Sequence, residues 1–255
     1  MVQLQGEARR EYVARMFTRI AGRYDLMNSV MTLGMHHRWR REVAELASRG
    51  LEEPALSRSP ERSEGSPKGL ALDVAAGTGD LTLALSTHEN ITRAVGLDLL
   101  PVMLHLAGEK AFKRNAGRVH FVAGDALRLP FRDNTFACAT CAFGLRNMPG
   151  VRDALAEMAR VLRPGGALVT LEIVPLDPGR WTTPFLRFYF RQVIPRLGGL
   201  ITGDREAYTY LRESADRFPT PYHLVEIMED VGLDSVTYRY VGLRMMAIHR
   251  GVKLV

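Results

Sequence analysis

From Leu70 onward, short apolar runs alternate with stretches of helical period. Leu70–Ala75, Ala94–Leu97, Val119–Val122, Phe136–Ala142 and Ala167–Ile173 read as strands. The segments around Leu81–Ser86, Pro101–Asn115 and Val151–Leu162 read as helices between them, with a loop before the fourth strand. Strand, crossover helix, strand predicts an α/β fold built on a doubly wound parallel sheet. The Pro164-Gly165-Gly166 run is expected to stop a helix and start the fifth strand. A helix near Pro221–Val231 then leads to two further strands, Ser235–Tyr240 and Met245–Val252. Four more helical stretches, near Glu7–Ile20, His36–Arg49, Pro184–Val193 and Asp204–Arg217, fall outside this alternation and are expected to cover the carboxyl edge of the sheet. Glu52 to Lys68 has three Pro among Ser, Glu and Arg with no periodicity, and reads as an exposed insertion. The expected organisation is an N-terminal helical cover over 1–51, an insertion over 52–69, and a sheet domain over 70–255 with a helical lid at about 176–217.

Composition narrows the class without choosing a function. The chain has 255 residues, 46% hydrophobic and 24% charged, an ordinary globular balance that can bury a core without staples. Two cysteines are too few for a secreted disulfide framework and predict a reducing compartment. No run of about 18 apolar residues is present, and Met1 to Arg23 has no apolar core of a secretory signal, so a cytoplasmic protein is expected. The net charge of +6 suits nucleic acid, an anionic membrane surface or a phosphorylated ligand. Arg supplies 30 of the 34 basic residues, an excess that genomic base composition explains better than a ligand does.

The candidate chemistry follows the strand ends. Asp73-Val-Ala-Ala-Gly77-Thr78-Gly79-Asp80 closes the first strand and opens a helix, where an open α/β sheet binds ligands and Gly admits backbone approach. The third glycine of a dinucleotide fingerprint is missing, its place taken by Thr82, so a ligand laying an amino-acid moiety and a ribose on the turn fits better than a pyrophosphate. A plain tight turn is the alternative. Asp98 ends the second strand 19 residues after Gly79, placed either to accept from ribose hydroxyls or to cap the following helix. Asp125 and Ala126 end the third strand, suited to an adenine edge or to turn chemistry alone. Arg146 and Asn147 follow the fourth strand and face the same crevice, unless Arg146 is simply a surface cation.

Cys138 and Cys141 form a C-x-x-C inside a strand, where their side chains point to opposite faces, so both are expected to be structural and no metal is expected. Tyr24 to Trp39 mixes polar and aromatic residues in a loop leading into a helix; Trp39 itself fits simple interface packing. Trp181 to Arg191 interleaves aromatics with Arg, as an interfacial element or a lid helix would.

Taken together these residues resemble the ubiquinone/menaquinone biosynthesis C-methyltransferases, within the class I S-adenosylmethionine-dependent methyltransferases. One signature appears as Tyr24, Asp25, Met27, Asn28, Thr32, His36 and Trp39, with Thr32 where Ser is usual. A second runs from Arg160 to Glu172, with Arg163 in place of the common Lys. Leu129–Phe136, Phe143–Asn147, Tyr210–Ser214 and His249-Arg250-Gly251 are also similar, and only residues 52–68 fall outside the resemblance. It implies a class I methyltransferase Rossmann-like sheet of seven strands, six parallel and one antiparallel, with helices on both faces. It implies S-adenosylmethionine as methyl donor, held by Thr78, Asp98, Asp125 and Ala126, with Gly77 and Gly79 shaping the turn. Ala142 stands where some members use a Ser against the donor, and Ala76-Gly77 replaces the usual Gly-Gly.

The implied reaction methylates a ring carbon of a polyprenylated quinol, demethylmenaquinol or the ubiquinol precursor. Arg146 is the candidate for stabilising the phenolate, with Tyr24 and Asn147 fixing the head group. The isoprenoid tail implies peripheral membrane contact, and a homodimer is compatible with all of this. A methyltransferase of another small aromatic or lipid is the nearest alternative, and a binding module without turnover is another. A nucleic-acid partner is not expected, because no Asn/Asp-Pro-Pro-aromatic stretch follows the fourth strand.

Overall fold

The computed structural model describes residues 6–49 and 68–254, so the insertion expected at Glu52–Lys68 lies, but for Lys68, outside the described residues. Seven strands form one sheet: β1 (Gly69–Val74), β2 (Ile91–Asp98), β3 (Val119–Ala123), β4 (Phe136–Ala142), β5 (Leu162–Ile173), β6 (Leu233–Val241) and β7 (Met246–Lys253). Their spatial order is β3-β2-β1-β4-β5-β7-β6. The first five run parallel, and β7 lies antiparallel between β5 and β6. The strand order reverses between β1 and β4, the place where such sheets open a crevice at their carboxyl ends.

The apolar positions sort by face. Leu72, Ala139, Cys141 and Leu168 look toward α6 (Val151–Val161) and α10 (Pro221–Asp230). Ala71, Cys138 and Val169 look the other way, toward α3 (Met35–Ser48) and α4 (Asp80–Ser86). The two cysteines therefore lie on opposite faces, both buried and unbonded, and burial pushes the Cys138 thiol up to about 12. Helix α5 (Pro101–Lys113) packs on β2 and β3.

The helices α1 (Gly6–Ile20), α2 (Tyr24–Thr32), α7 (Thr183–Phe188), α8 (Ile194–Thr202) and α9 (Arg205–Asp216) build a cap with its own apolar centre, around Met16, Ile20, Met27, Ile194 and Tyr208. A π-type widening over Tyr189–Val193 joins α7 to α8.

Three expectations are corrected. Helix α3 does not cover the carboxyl edge: its Val43, Ala44 and Ala47 are fully buried against the sheet, so it belongs to the sandwich itself. The Tyr24–Thr32 stretch is helical despite its polar sequence, because Met27 packs into the cap and Lys110 ties Asp25 to the sheet, while the Ser29 and Thr32 hydroxyls are satisfied by the carbonyls of Asp25 and Asn28. Pro164-Gly165-Gly166 does not precede β5 but lies within it: between the pairs Phe136–Leu162 and Cys138–Ala167, Ala137 of β4 stands opposite four residues of β5, and Gly165 takes φ +77°.

Candidate active site

The carboxyl ends of β1 to β4 open into a cavity roofed by α1, with about 850 Å³ of empty space when the solvent at its mouth is counted. Asp98, Asp125 and Ala126 line it from below, Arg10 and Phe17 from above, and Tyr24 closes one end. The Asp98 carboxylate accepts the N–H of Gly77 through Oδ2 at 2.8 Å and that of Leu100 through Oδ1 at 2.9 Å. Helix α5 starts without a side-chain cap, so Asp98 is not its N-cap. Burial raises the Asp98 pKa against these bonds, and each oxygen keeps a lone pair for a donor in the cavity. Gly77 has φ +56°, and a side chain there would meet only Tyr24, at 4.0 Å, so ligand backbone approach is open.

The other residues of the turn work elsewhere. The Thr78 hydroxyl is buried away from the cavity lining, donating to Asp25 Oδ1 at 2.6 Å and accepting from Lys110 Nζ at 3.1 Å. A Cβ on Gly79 would come within 2.9 Å of Ala107 and 3.0 Å of Phe121, so its φ of +80° and its missing side chain serve packing. The structure thus places Gly77, Asp98, Asp125 and Ala126 together at the cavity and leaves Thr78 and Gly79 behind it. The reason is that α4 begins at Asp80 and turns Thr78 back toward α2.

Asp125 takes the turn role and also reaches the cavity. Its Oδ1 accepts the Leu127 N–H at 2.9 Å as a turn residue would, and its Oδ2 faces the cavity and pairs with Arg10 at 3.1 Å. Arg10, on the roof, carries no sequence signal that separates it from the other arginines.

A second cavity, about 820 Å³ out to its mouth, lies inside the cap. Its walls are largely apolar, with Met16, Ile20, Met27, Met31, Phe190 and Ile194 among them. Polar atoms interrupt them: Asn28 Nδ2, Arg146 Nε, Asn147 Oδ1 and Tyr210 Oη belong to lining residues, are buried, and have no hydrogen-bond partner among the described residues. Buried polar atoms are seldom left unpaired, so these suit a ligand that is mostly apolar and carries a few polar groups. The two cavities share Phe17, Tyr24, Phe143 and Asn147.

The junction is held under strain. Ala75 and Phe143, just past β1 and β4, take φ of +57° and +60°, left-handed conformations that cost about 1–3 kcal/mol each. The Phe143 carbonyl accepts from Arg146 Nη1 at 2.7 Å and Asn147 Nδ2 at 3.2 Å. Arg146 is buried, and its Nη1 also donates to the buried Glu172 Oε1 at 2.5 Å. Burial alone would lower the Arg146 pKa, but Glu172, Tyr24 and Tyr210 outweigh it and the net shift is upward. The guanidinium is permanently charged, and its charge is largely answered by Glu172.

Behind Tyr24, a polar chain ties the cap to the sheet. Lys110 Nζ donates to Asp25 at 2.8 Å and to Asp80 at 2.7 Å, and Arg40 donates to Asp80 at 3.2 Å and to His36 Nδ1 at 2.6 Å. Arg40 can only donate, so the His36 proton sits on Nε2, facing Ser29 Oγ at 3.1 Å. Burial first, then Arg40, holds the His36 pKa down to about 4. Among the described residues, His36, His37 and Asp80 come close enough to share a metal ion, a grouping their sequence spacing does not suggest. Arg40 and Lys110 already answer Asp80, and both His36 nitrogens are engaged, which disfavours a cation there.

The model of the ubiE/COQ5 methyltransferase family matches residues 5–253. This chain belongs to that family. It is 44% identical over 220 residues to the demethylmenaquinone methyltransferase of Deinococcus radiodurans, covering 86% of this chain and 84% of that one. It is 40% identical over 243 residues to the ubiquinone/menaquinone biosynthesis C-methyltransferase UbiE of Methylobacterium nodulans, covering 95% and 90%. A solved S-adenosylmethionine-dependent methyltransferase from Thermotoga maritima superposes with a TM-score of 0.56 at 17% identity, covering 94% of this chain and 99% of that one, a likeness of fold alone. As a member of the ubiE/COQ5 methyltransferases, the protein is an enzyme whose methyl donor is S-adenosylmethionine. Glu172 closes the second signature of the sequence, yet only the fold reveals it as the partner of Arg146. Asn28 and Tyr210 likewise lie in recognised motifs, and nothing in their spacing announces that they line one cavity with Arg146.

Proposed function

We propose that this methyltransferase moves a methyl group from S-adenosylmethionine to a ring carbon of a reduced polyprenylated quinone, demethylmenaquinol to menaquinol. The observation that carries the reading is the pair of cavities, one polar at Asp98 and one apolar, that meet at Tyr24, Phe143 and Asn147. The similarity to the Deinococcus enzyme favours the menaquinone precursor, and the similarity to the Methylobacterium enzyme keeps 2-polyprenyl-6-methoxy-1,4-benzoquinol as the second reading.

S-adenosylmethionine, when bound, supplies a methyl already activated on a sulfonium, so the transfer as written needs no metal. The first cavity fits it: Asp98 offers two oxygens to ribose hydroxyls, Gly77 leaves room on the turn, and Asp125 with Ala126 lies where an adenine edge would be read. In this reading Thr78 and Gly79 hold the turn and do not touch the donor. The quinol ring enters the second cavity, with Tyr24 and Asn147 fixing a hydroxyl at the junction. A phenol carbon becomes nucleophilic as its hydroxyl loses a proton. Arg146 cannot take that proton, because guanidinium stays protonated, so it passes to solvent. The ring carbon would take the methyl as its bond to sulfur breaks, leaving S-adenosylhomocysteine, and the ring hydrogen would then return to the oxygen, so that one proton is released overall. With Glu172 answering its charge, Arg146 contributes an oriented N–H donor to the developing phenolate, a fixed dipole in a site shielded from water. Neither nucleic acid nor a second subunit is required.

The test is direct. Purified protein, S-adenosylmethionine and each of the two quinols with a short prenyl tail are incubated under reducing conditions, and the product is located by mass spectrometry and ring-proton NMR. Ring C-methylation of demethylmenaquinol is expected. Methylation at oxygen, or of neither quinol, would overturn the reading.

A further inference from the structure

The outer faces of the helices that wall the second cavity are apolar as well. Helix α2 turns Met27, Asn28 and Met31 inward to the cavity, while Leu26 is exposed and Leu33, just past its end, is 85% exposed. The α7–α8 segment turns Phe190 and Ile194 inward, while Trp181, Phe185, Phe188 and Leu200 are 79, 70, 63 and 83% exposed. Phe185 and Phe188, at i and i+3, share one side of α7, and Trp181 stands in the turn just before it. The two segments lie side by side and antiparallel: the Tyr189 hydroxyl donates to the Met31 carbonyl at 3.0 Å, and Arg23 Nη1 donates to the Ile201 carbonyl at 2.6 Å. Exposed large apolar side chains grouped in this way mark an interaction site.

Cations dominate the α7–α8 segment. Residues 178–203 contain Arg180, Arg187, Arg191 and Arg196 and no acid, while Asp216 of α9 lines a cleft with Arg187 and Arg191. Among the described residues, none of these four arginines forms an ion pair with a carboxylate. Aromatics at a rim of unpaired arginines fit the headgroup region of an anionic bilayer, where rings sink to the acyl boundary and cations stay at the phosphates.

The geometry points to the α2, α7 and α8 face as a docking surface for an anionic lipid bilayer, which sets the apolar cavity one helix layer from the membrane. The assignment rests on the quinol reading for its purpose, but vesicle binding is read without methyl donor or acceptor, so either can fail alone. Sedimentation with vesicles of phosphatidylcholine and phosphatidylglycerol is compared with pure phosphatidylcholine. The protein is expected to pellet with the anionic vesicles, weakly with the neutral ones, and less at high salt. Phe185→Ser/Phe188→Ser, changes at exposed positions outside both cavities, is expected to lower binding about tenfold or more, at roughly the cost of withdrawing two rings from the interface. Arg187→Gln/Arg191→Gln is expected to lower it on the order of twentyfold, each cation near such a surface being worth about a factor of five. Both variants are expected to methylate a short-tailed quinol in solution at the parent rate. Absence of binding to anionic vesicles, equal binding by the Phe185→Ser/Phe188→Ser variant, or a dimer that this variant splits would overturn the inference, the last showing that a second copy covers the face.

Discussion

Arg146 and Glu172 are buried together, so neither can be removed without stranding the other. Arg146→Ala leaves an uncompensated carboxylate and is expected to cost about 3–5 kcal/mol of stability, visible in calorimetric melting, besides its effect on turnover. Arg146→Lys separates the two effects, because it keeps the charge and loses the fork. We expect it to bind S-adenosylmethionine normally, to remain folded, and to lose on the order of a hundredfold in turnover. Turnover near the parent value at neutral pH would remove Arg146 from the chemistry. Asp98→Ala takes away an acceptor that holds Gly77 and Leu100 and is proposed to meet the ribose. Donor affinity measured by titration calorimetry is expected to fall by a few kcal/mol, the range of charge-assisted hydrogen bonds; an unchanged affinity would place the ribose elsewhere.

Helix α2 is an element made by its neighbours. Its nine residues are too few to be stable alone, it has no side-chain cap, and it ends at Leu33 and Gly34 in left-handed backbone. Lys110 reaches it from α5 through Asp25, so the wall that carries Tyr24 and Asn28 is pinned to the turn that carries Gly77. Lys110→Met is expected to cost about 1–3 kcal/mol and to abolish hydrogen-exchange protection over residues 24–32 while the strands keep theirs. Protection lost evenly across the sheet would show that α2 is no separate unit. Helix α8 depends on α9 in a different way. A Cβ on Gly198 would lie 1.9 Å from the Tyr208 ring, so Gly198→Ala must part the two helices. A fall in stability of about 1–3 kcal/mol is expected from such overpacking, read from denaturant midpoints.

For the molecule as a whole, buried titratable groups set how stability follows pH. His36 and His249 are held down to about 4, burial being the main cause in each. Between about 4 and 6.5 the unfolded chain binds more protons at these two sites than the folded one, so stability is lost as pH falls through that window. Asp73 acts in the opposite sense. Burial raises it to about 7 against the hydroxyls of Thr82 and Thr140, so the folded chain binds the extra proton between about 4 and 7. Two histidines outweigh one aspartate, and melting temperatures are expected to climb from pH 4 to near 6.5 and then level. Asp73→Asn removes the opposing group. It is expected to raise stability at pH 8 by on the order of a few kcal/mol, to change little at pH 4, and so to steepen the acid limb. A variant equally stabilised at both pH values would show that Asp73 does not titrate as described.

The alternation of apolar runs and helical stretches was enough to place all seven strands, because each strand's side chains are buried by neighbours the pattern already implies. Six of the seven run parallel, as the family resemblance implied. The crevice residues Gly77, Asp98, Asp125 and Ala126 were legible for the same reason: they follow strand ends, and strand ends are local. Helices α2 and α8 were not legible, since one is rich in Asp, Asn, Ser and Thr and the other carries Pro195 and two adjacent glycines. Both stand on contacts with residues far along the chain, Asp25 with Lys110 and Gly198 with Tyr208, and propensity cannot register those. Side-chain direction was decided by tertiary structure too. Thr78 shares a turn with Gly77 but points away from the cavity, Glu172 reaches Arg146 across 26 residues, and Asn28 and Tyr210 meet in one chamber only because the cap closes over the sheet. The chain's local pattern determines where the strands end and therefore where a ligand can sit; which side chains face that ligand depends on how helices distant in sequence pack against one another.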